Sequence, residues 1–192
     1  MAYHIYTTTA IVCGSYNRNA ADKSFLLFTE QLGMVYATAR SVREERSRQR
    51  QALQDFSIIR VSLIRGKSGW RIGSVEAYGN PFLRAIDRTT RAQLLRIFKV
   101  LRRFIQGEGS EATIFPVALH AIEALASGRV SYPTDYTTQV VARMLHDLGY
   151  MSAPALLQDI GGQLPAMNAQ LSSVDAAMLD QLIAEAGIAS QL

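Results

Sequence analysis

Hydrophobic and polar positions follow two rhythms along the chain, a period near two in the first eighty residues and a period near 3.6 afterwards. Phe56-Ser-Ile58-Ile59-Arg-Val61-Ser-Leu63-Ile64-Arg65 alternates after its first few positions, the mark of a half-buried strand. Trp70-Arg-Ile72-Gly-Ser-Val75-Glu-Ala-Tyr78 reads as its returning partner, joined through the tight basic link Arg65-Gly66-Lys67-Ser68-Gly69. Upstream, residues 3–12 read as a first strand, because Thr7, Thr8 and Thr9 favour extended backbone. Residues 14–19, opening with Gly14, read as a turn. An apolar second strand over 24–29 follows, and Gln31-Leu32-Gly33 turns into a third over 34–39. Residues 48–54 leave room for a helical turn or two.

Five short strands within 78 residues, uninterrupted by a long helical pattern, predict a small antiparallel β-barrel. The oligonucleotide-binding (OB) barrel is the commonest five-stranded version, and an SH3-like barrel has almost the same count. Gly79-Asn80-Pro81 ends the barrel, since proline cannot pair inside a strand. Thr90-Arg-Ala-Gln93 then fits a capping box, and Leu94, Leu95, Ile97, Phe98, Leu101, Phe104 and Ile105 form an apolar stripe opposite Arg91, Arg96, Lys99, Arg102 and Arg103. Gly107-Glu-Gly109 stops that helix, and further helices are predicted at about 112–127, 134–148, 154–160 and 174–186. The expected class is α+β, an OB-type barrel over residues 1–79 followed by an all-α domain over 80–192.

The net charge of +4 hides a strong asymmetry. Residues 1–78 carry eleven Lys and Arg against six Asp and Glu, residues 79–106 carry seven against one, and residues 107–192 carry two against nine. The basic part is the candidate partner of a polyanion. Its densest point is the run Arg40-Ser-Val-Arg43-Glu-Glu-Arg46-Ser-Arg48-Gln-Arg50, which the strand pattern places in a loop between two barrel strands. Arg65, Lys67 and Arg71 lie on the neighbouring hairpin, and the aromatic residues Tyr36, Trp70 and Tyr78 lie on the same strands. Single-stranded nucleic acid needs such a pairing of cations for phosphates with ring faces for unstacked bases. The ordinary alternative is a solvated loop in which Glu44 and Glu45 pair with Arg43 and Arg46, and Trp70 can equally fill the barrel. Arg84, Arg88, Arg91, Lys99 and Arg102 could extend the positive surface.

Other chemistries find no footing. Cys13 is the one cysteine, so no disulfide and no cysteine-built zinc site can form within the chain. His4, His120 and His146 lack partners at ligand spacing. Asp22-Lys23-Ser24 lacks the glycines of a phosphate loop, and no nucleophile elbow or dinucleotide fingerprint occurs. We therefore expect no catalytic residue, no metal and no cofactor. The absence of a signal peptide or of a long apolar run predicts a cytoplasmic protein that meets no membrane.

The order Thr9-Ala-Ile-Val, Ala21-Asp22-Lys23 leading into Leu27-Phe28-Thr29 and Gly33, Ala37-Thr-Ala-Arg40-Ser-Val-Arg43, a Ser-Arg-x-Arg at 47–50 and Leu53-Gln-Asp-Phe56 resembles the amino-terminal OB domain of the bacterial RecO family. Leu145-His-Asp-Leu148-Gly149-Tyr150 resembles a segment seen late in that family, and the likeness covers roughly residues 1–150. It implies a non-enzymatic recombination mediator in DNA repair. Such a protein binds single-stranded and duplex DNA, promotes strand annealing and, with RecR, helps load RecA onto strands covered by single-strand-binding protein (SSB). Carried over by position, Arg40, Arg43, Arg46, Arg48 and Arg50 would contact DNA. The chain departs from the family in lacking a four-cysteine zinc site, in carrying Ala20 where a Glu is common, and in its acidic last 86 residues. SSB ends in an acidic, apolar tail, which would prefer a basic rim around a hydrophobic pocket. An OB-type RNA-binding protein and a protein-interaction adaptor with an acidic partner are the rival readings.

Overall fold

The computed structural model describes residues 4–109, 113–152 and 164–190. The chain divides into two compact units, one of residues 1–83 and 105–112, the other of residues 84–104 and 113–192. In the first, β1 (Ile5–Asn17), β2 (Lys23–Thr29), β3 (Gly33–Ala39), β4 (Ile58–Gly66) and β5 (Gly69–Gly79) close into a barrel in the order β1-β2-β3-β5-β4, with β4 pairing back to β1. A single-turn helix, α1 (Gln49–Ala52), lies between β3 and β4. β5 sits between β3 and β4 and runs parallel to β3, Ala37 opposite Trp70 and Thr38 opposite Arg71. This Greek-key order is that of the OB barrel rather than of a simple meander.

Alternation sets the interior. Ala10, Val12, Phe25, Leu27, Val35, Ala37, Ile59, Val61, Leu63 and Trp70 point inward and are buried together, as the period-two pattern requires. The first strand differs from its sequence reading, because β1 runs through Gly14 to Asn17 instead of turning there. A register shift between Val12 and Gly14 makes Cys13 the extra residue of a β-bulge, after which Gly14, Ser15, Tyr16 and Asn17 pair with Leu26, Phe25, Ser24 and Lys23. The turn comes later, at Asn19, whose Oδ1 accepts from the amides of Ala21 (2.9 Å) and Asp22 (2.6 Å).

Residues past the first long helix return to this unit. The Met34 amide donates to the Gly107 carbonyl (3.0 Å) and the Gly109 amide to the Leu32 carbonyl (3.1 Å). Gly33 holds φ +69°, and a Cβ there would collide with the Gly109 carbonyl.

The helical unit contains α3 (Arg88–Phe104), α4 (Ile114–Ala126), α5 (Pro133–Asp147) and α6 (Ser173–Ala189); the short α2 (Pro81–Arg84) joins the two units. α5 packs against α3, α4 and α6, which explains why Tyr136, Val140, Val141 and Leu145 are all buried. α3 buries Leu94, Ile97, Phe98, Leu101 and Phe104 as predicted, but its cap is not Thr90. The helix begins earlier, and Asp87 Oδ1 accepts from the Thr90 amide (2.7 Å). That bond holds the Asp87 carboxyl below its usual range. The helix predicted over 154–160 lies outside the described residues.

Candidate nucleic-acid interface

The cationic loop leaves the end of β3 and is fastened by a short apolar side chain. Val42 is 2% exposed and belongs to the barrel core, so it plugs the barrel mouth while its neighbours stay outside. Ser41 turns the chain there with φ 51°. Its amide donates to Asp22 Oδ1 (2.9 Å), the Arg43 amide to the Ala21 carbonyl (3.1 Å) and Arg43 Nη1 to the Asn19 carbonyl (2.6 Å). The loop is thus stitched to the β1–β2 turn. The Ser41 amide, then the Asn19 side chain, hold the Asp22 carboxyl below the usual range, with Arg40 and Arg18 adding to the effect. It therefore stays charged and keeps accepting.

Arg40, Arg43, Arg46, Arg48 and Arg50 are all exposed. Among the described residues no ion pair joins a loop arginine to Glu44 or Glu45. A fixed backbone carrying exposed guanidinium groups suits phosphate, which each fork can grip through two oxygens. The cations fall into two groups. Arg43 and Arg50 join Lys23 around a concavity of about 280 Å³, floored by Phe25, Val42 and Leu53. Arg40 and Arg46 join Arg71 around another of about 370 Å³ that also contains Glu44.

Beside the loop, the outer face of the sheet carries a row of paired positions, Tyr16, Ser24, Thr38 and Arg71, one on each of β1, β2, β3 and β5. Arg18 Nη1 donates to Thr38 Oγ1 (2.8 Å), adding a cation to the row. Two residues back along β3, Tyr36 is 61% exposed, and its ring lies 6.3 Å from that of Tyr16, itself 54% exposed. Two neighbouring accessible rings flanked by arginines can stack bases while phosphates are held at the side. The β2–β3 face of OB barrels is where oligonucleotides bind.

Two sequence expectations on the hairpin change. Trp70 is 6% exposed and belongs to the core, so it offers no ring face to a base. Its Nε1 donates to Glu108 Oε1 (2.9 Å), and the ring of Tyr6 meets it edge-on at 5.3 Å. Arg65 is occupied as well, with its guanidinium over the Trp70 ring (4.7 Å) and in an ion pair with Glu108 (2.5 Å). Arg65, then Trp70, hold the Glu108 carboxyl below its usual range. Lys67 is exposed at the tip of the β4–β5 turn. Tyr78 is 57% exposed but stands seven residues from Arg71 along β5, about 23 Å at strand rise, and so lies apart from Tyr36.

The remaining cations lie in the helical unit. Arg84 pairs with Glu123 (2.6 Å) and Arg91 donates to the Ala85 carbonyl (3.2 Å), whereas Arg88, Lys99 and Arg102 are exposed. Tyr16, Arg18 and Lys23 are the site residues that sequence reading missed. Their signal was available in the alternation past Gly14, which a bulge allows to continue.

Comparison with known proteins bears on the barrel. Residues 1–78 match the family model of the recombination protein O amino terminus. No curated protein matches the chain. The matched residues form the closed OB-type barrel and a helical region follows them, an arrangement that fits RecO.

Proposed function

We propose that the protein is a recombination mediator that binds single-stranded and duplex DNA, promotes annealing and, with RecR, helps load RecA onto SSB-coated strands in the bacterial cytoplasm. The observation that carries this reading is the tethered arginine loop beside the Tyr16–Tyr36 face of a RecO-type barrel. Neutralising phosphates removes the repulsion between two approaching strands, so annealing requires no catalytic group. A fluorescent single-stranded oligonucleotide titrated over a salt series, followed by annealing of complementary strands, tests the reading. We expect binding that weakens steeply with salt, about 0.7 log units per phosphate contact on single strands, together with faster annealing. A clear preference for matched RNA would move the protein to RNA binding. Absence of binding at low salt would leave the basic face for an acidic protein partner.

The SSB contact has a seat of suitable chemistry. In the helical unit, α3 and α6 border an open groove of about 310 Å³ whose apolar lining includes Phe104, Ile183 and Ile188, with Arg96, Lys99 and Arg103 among its residues. Although residues 107–192 are acidic, α3 presents the exposed Lys99 at the groove, beside Arg96 and Arg103, which are engaged with α5 and α6, and an acidic, apolar tail would meet both requirements there. A labelled SSB tail peptide should bind, and Lys99→Glu, which replaces an attraction in the groove by a repulsion, should weaken that binding severalfold while changing oligonucleotide affinity by no more than about twofold, because Lys99 lines neither loop concavity.

A further inference from the structure

Annealing requires two strands to be held side by side, and the loop divides its cations in a way that can do this. The loop leaves the end of β3, the strand that lies between β2 and β5 in the barrel. The concavity of Lys23, Arg43 and Arg50 lies at the barrel mouth, over the core residues Phe25, Val42 and Leu53, and that of Arg40, Arg46 and Arg71 includes Arg71 of the outer row; the two share no residue. Three cations on each side give two phosphate-binding sites with the loop between them. Had all the arginines converged on one concavity, a second strand would have met the first strand's charge without compensation.

The sides also differ in kind. Arg71 pairs with Thr38 in the outer row, and Thr38 stands two residues along β3 from Tyr36, so phosphates held there lie on the same outer face of the sheet as rings that can stack the bases. At the barrel mouth the aromatic residue is Phe25, which is buried in the core beneath Lys23. A strand held there is gripped by its phosphates, and its bases remain available for pairing.

We propose that the loop separates two non-equivalent DNA tracks, a stacking track over the outer face of the sheet that takes single strands and a phosphate-only track at the barrel mouth that takes a second strand. This inference rests on the DNA-binding reading and specifies how its site is divided. The test counts non-complementary oligonucleotides of about eight nucleotides, near one OB-fold site size, bound per protein at low salt. Wild type should saturate at two. Lys23→Gln with Arg50→Gln should saturate at one, as should Arg46→Gln with Arg71→Gln; Arg43 is kept in both because it tethers the loop. In each variant annealing should fall toward the protein-free rate, and its salt slope should lessen by about 1.4 log units for two lost contacts. An abasic oligonucleotide should still bind the second variant and bind the first poorly. Saturation of wild type at one oligonucleotide, or loss of all binding in either folded variant, overturns the two-track arrangement while leaving the DNA reading standing. No binding by wild type would sink that reading, and the tracks with it.

Discussion

Arginine does different work within the helical unit and in the cationic loop of the barrel. In the helical unit Arg84 pairs with Glu123, Arg96 with Asp180 while also donating to Thr138, and Arg143 with Asp147, and Arg103 donates to the Gly187 carbonyl and to Ser190. Those guanidinium groups bind the chain to itself. In the barrel loop five arginines stand beside two glutamates without pairing to either; a buried valine, the Ser41 and Arg43 amides and the Arg43 guanidinium tie the loop to the β1–β2 turn. A count of positive charges therefore does not locate a binding face. What locates it is the difference between arginines that fasten the structure, Arg43 among them, and arginines such as Arg40, Arg46, Arg48 and Arg50 whose backbone is fastened for them.

The comparison breaks most visibly if the loop's charge is removed. Replacing Arg43, Arg46, Arg48 and Arg50 by Ala should lower DNA affinity for all sequences and flatten the salt slope by about 2.8 log units, as read by anisotropy. An unchanged slope would remove the loop from the site. Next in size, Val42→Ala deletes the plug without touching a cation. Losing two buried methyl groups should cost about 2 kcal/mol in denaturant unfolding, and DNA affinity should fall as well because the loop loses its anchor. Affinity unchanged at that stability loss would show that anchoring is irrelevant to binding. Arg96→Ala is the converse control: loss of its partly exposed bonds should cost at most about 1 kcal/mol and leave oligonucleotide affinity unchanged.

The smallest effect concerns acid. Asp22 has a depressed carboxyl value in the folded protein, so the stability it contributes is present above the unfolded value, 3.8, and is lost as pH falls through the lower folded one. Between pH 5 and 8 wild type and Asp22→Asn should show the same pH dependence of melting, and faster amide exchange at Ser41 should mark the lost tether. A difference in pH dependence near neutrality would contradict this assignment.

Much of the barrel was legible because alternation reports directly on which side of a sheet a residue faces. β2, β3, β4 and β5 fall within a residue or two of their predicted spans, and the loop between β3 and β4 carries its arginines where the pattern put them. Gly14 misled because glycine marks both turns and bulges, and a register shift has no signature in one strand alone. Trp70 and Arg65 were legible as strand residues but not by role. Glu108, which occupies both, lies some forty residues away in sequence, and a pairing at that distance leaves no periodic trace. The same holds for the division of the loop's cations, which depends on strand order as much as on sequence.

The return of residues 105–109 to the barrel has a consequence for anyone dissecting the molecule. Topologically α3 is an excursion, since the chain leaves the barrel unit, makes one helix and comes back before departing again. A fragment cut at the end of the family-matched region would strip the Met34 amide of its acceptor and leave the Arg65–Trp70 corner without its carboxylate. The shortest autonomous barrel is therefore not the shortest stretch that the family model recognises: it must carry α3 along as cargo.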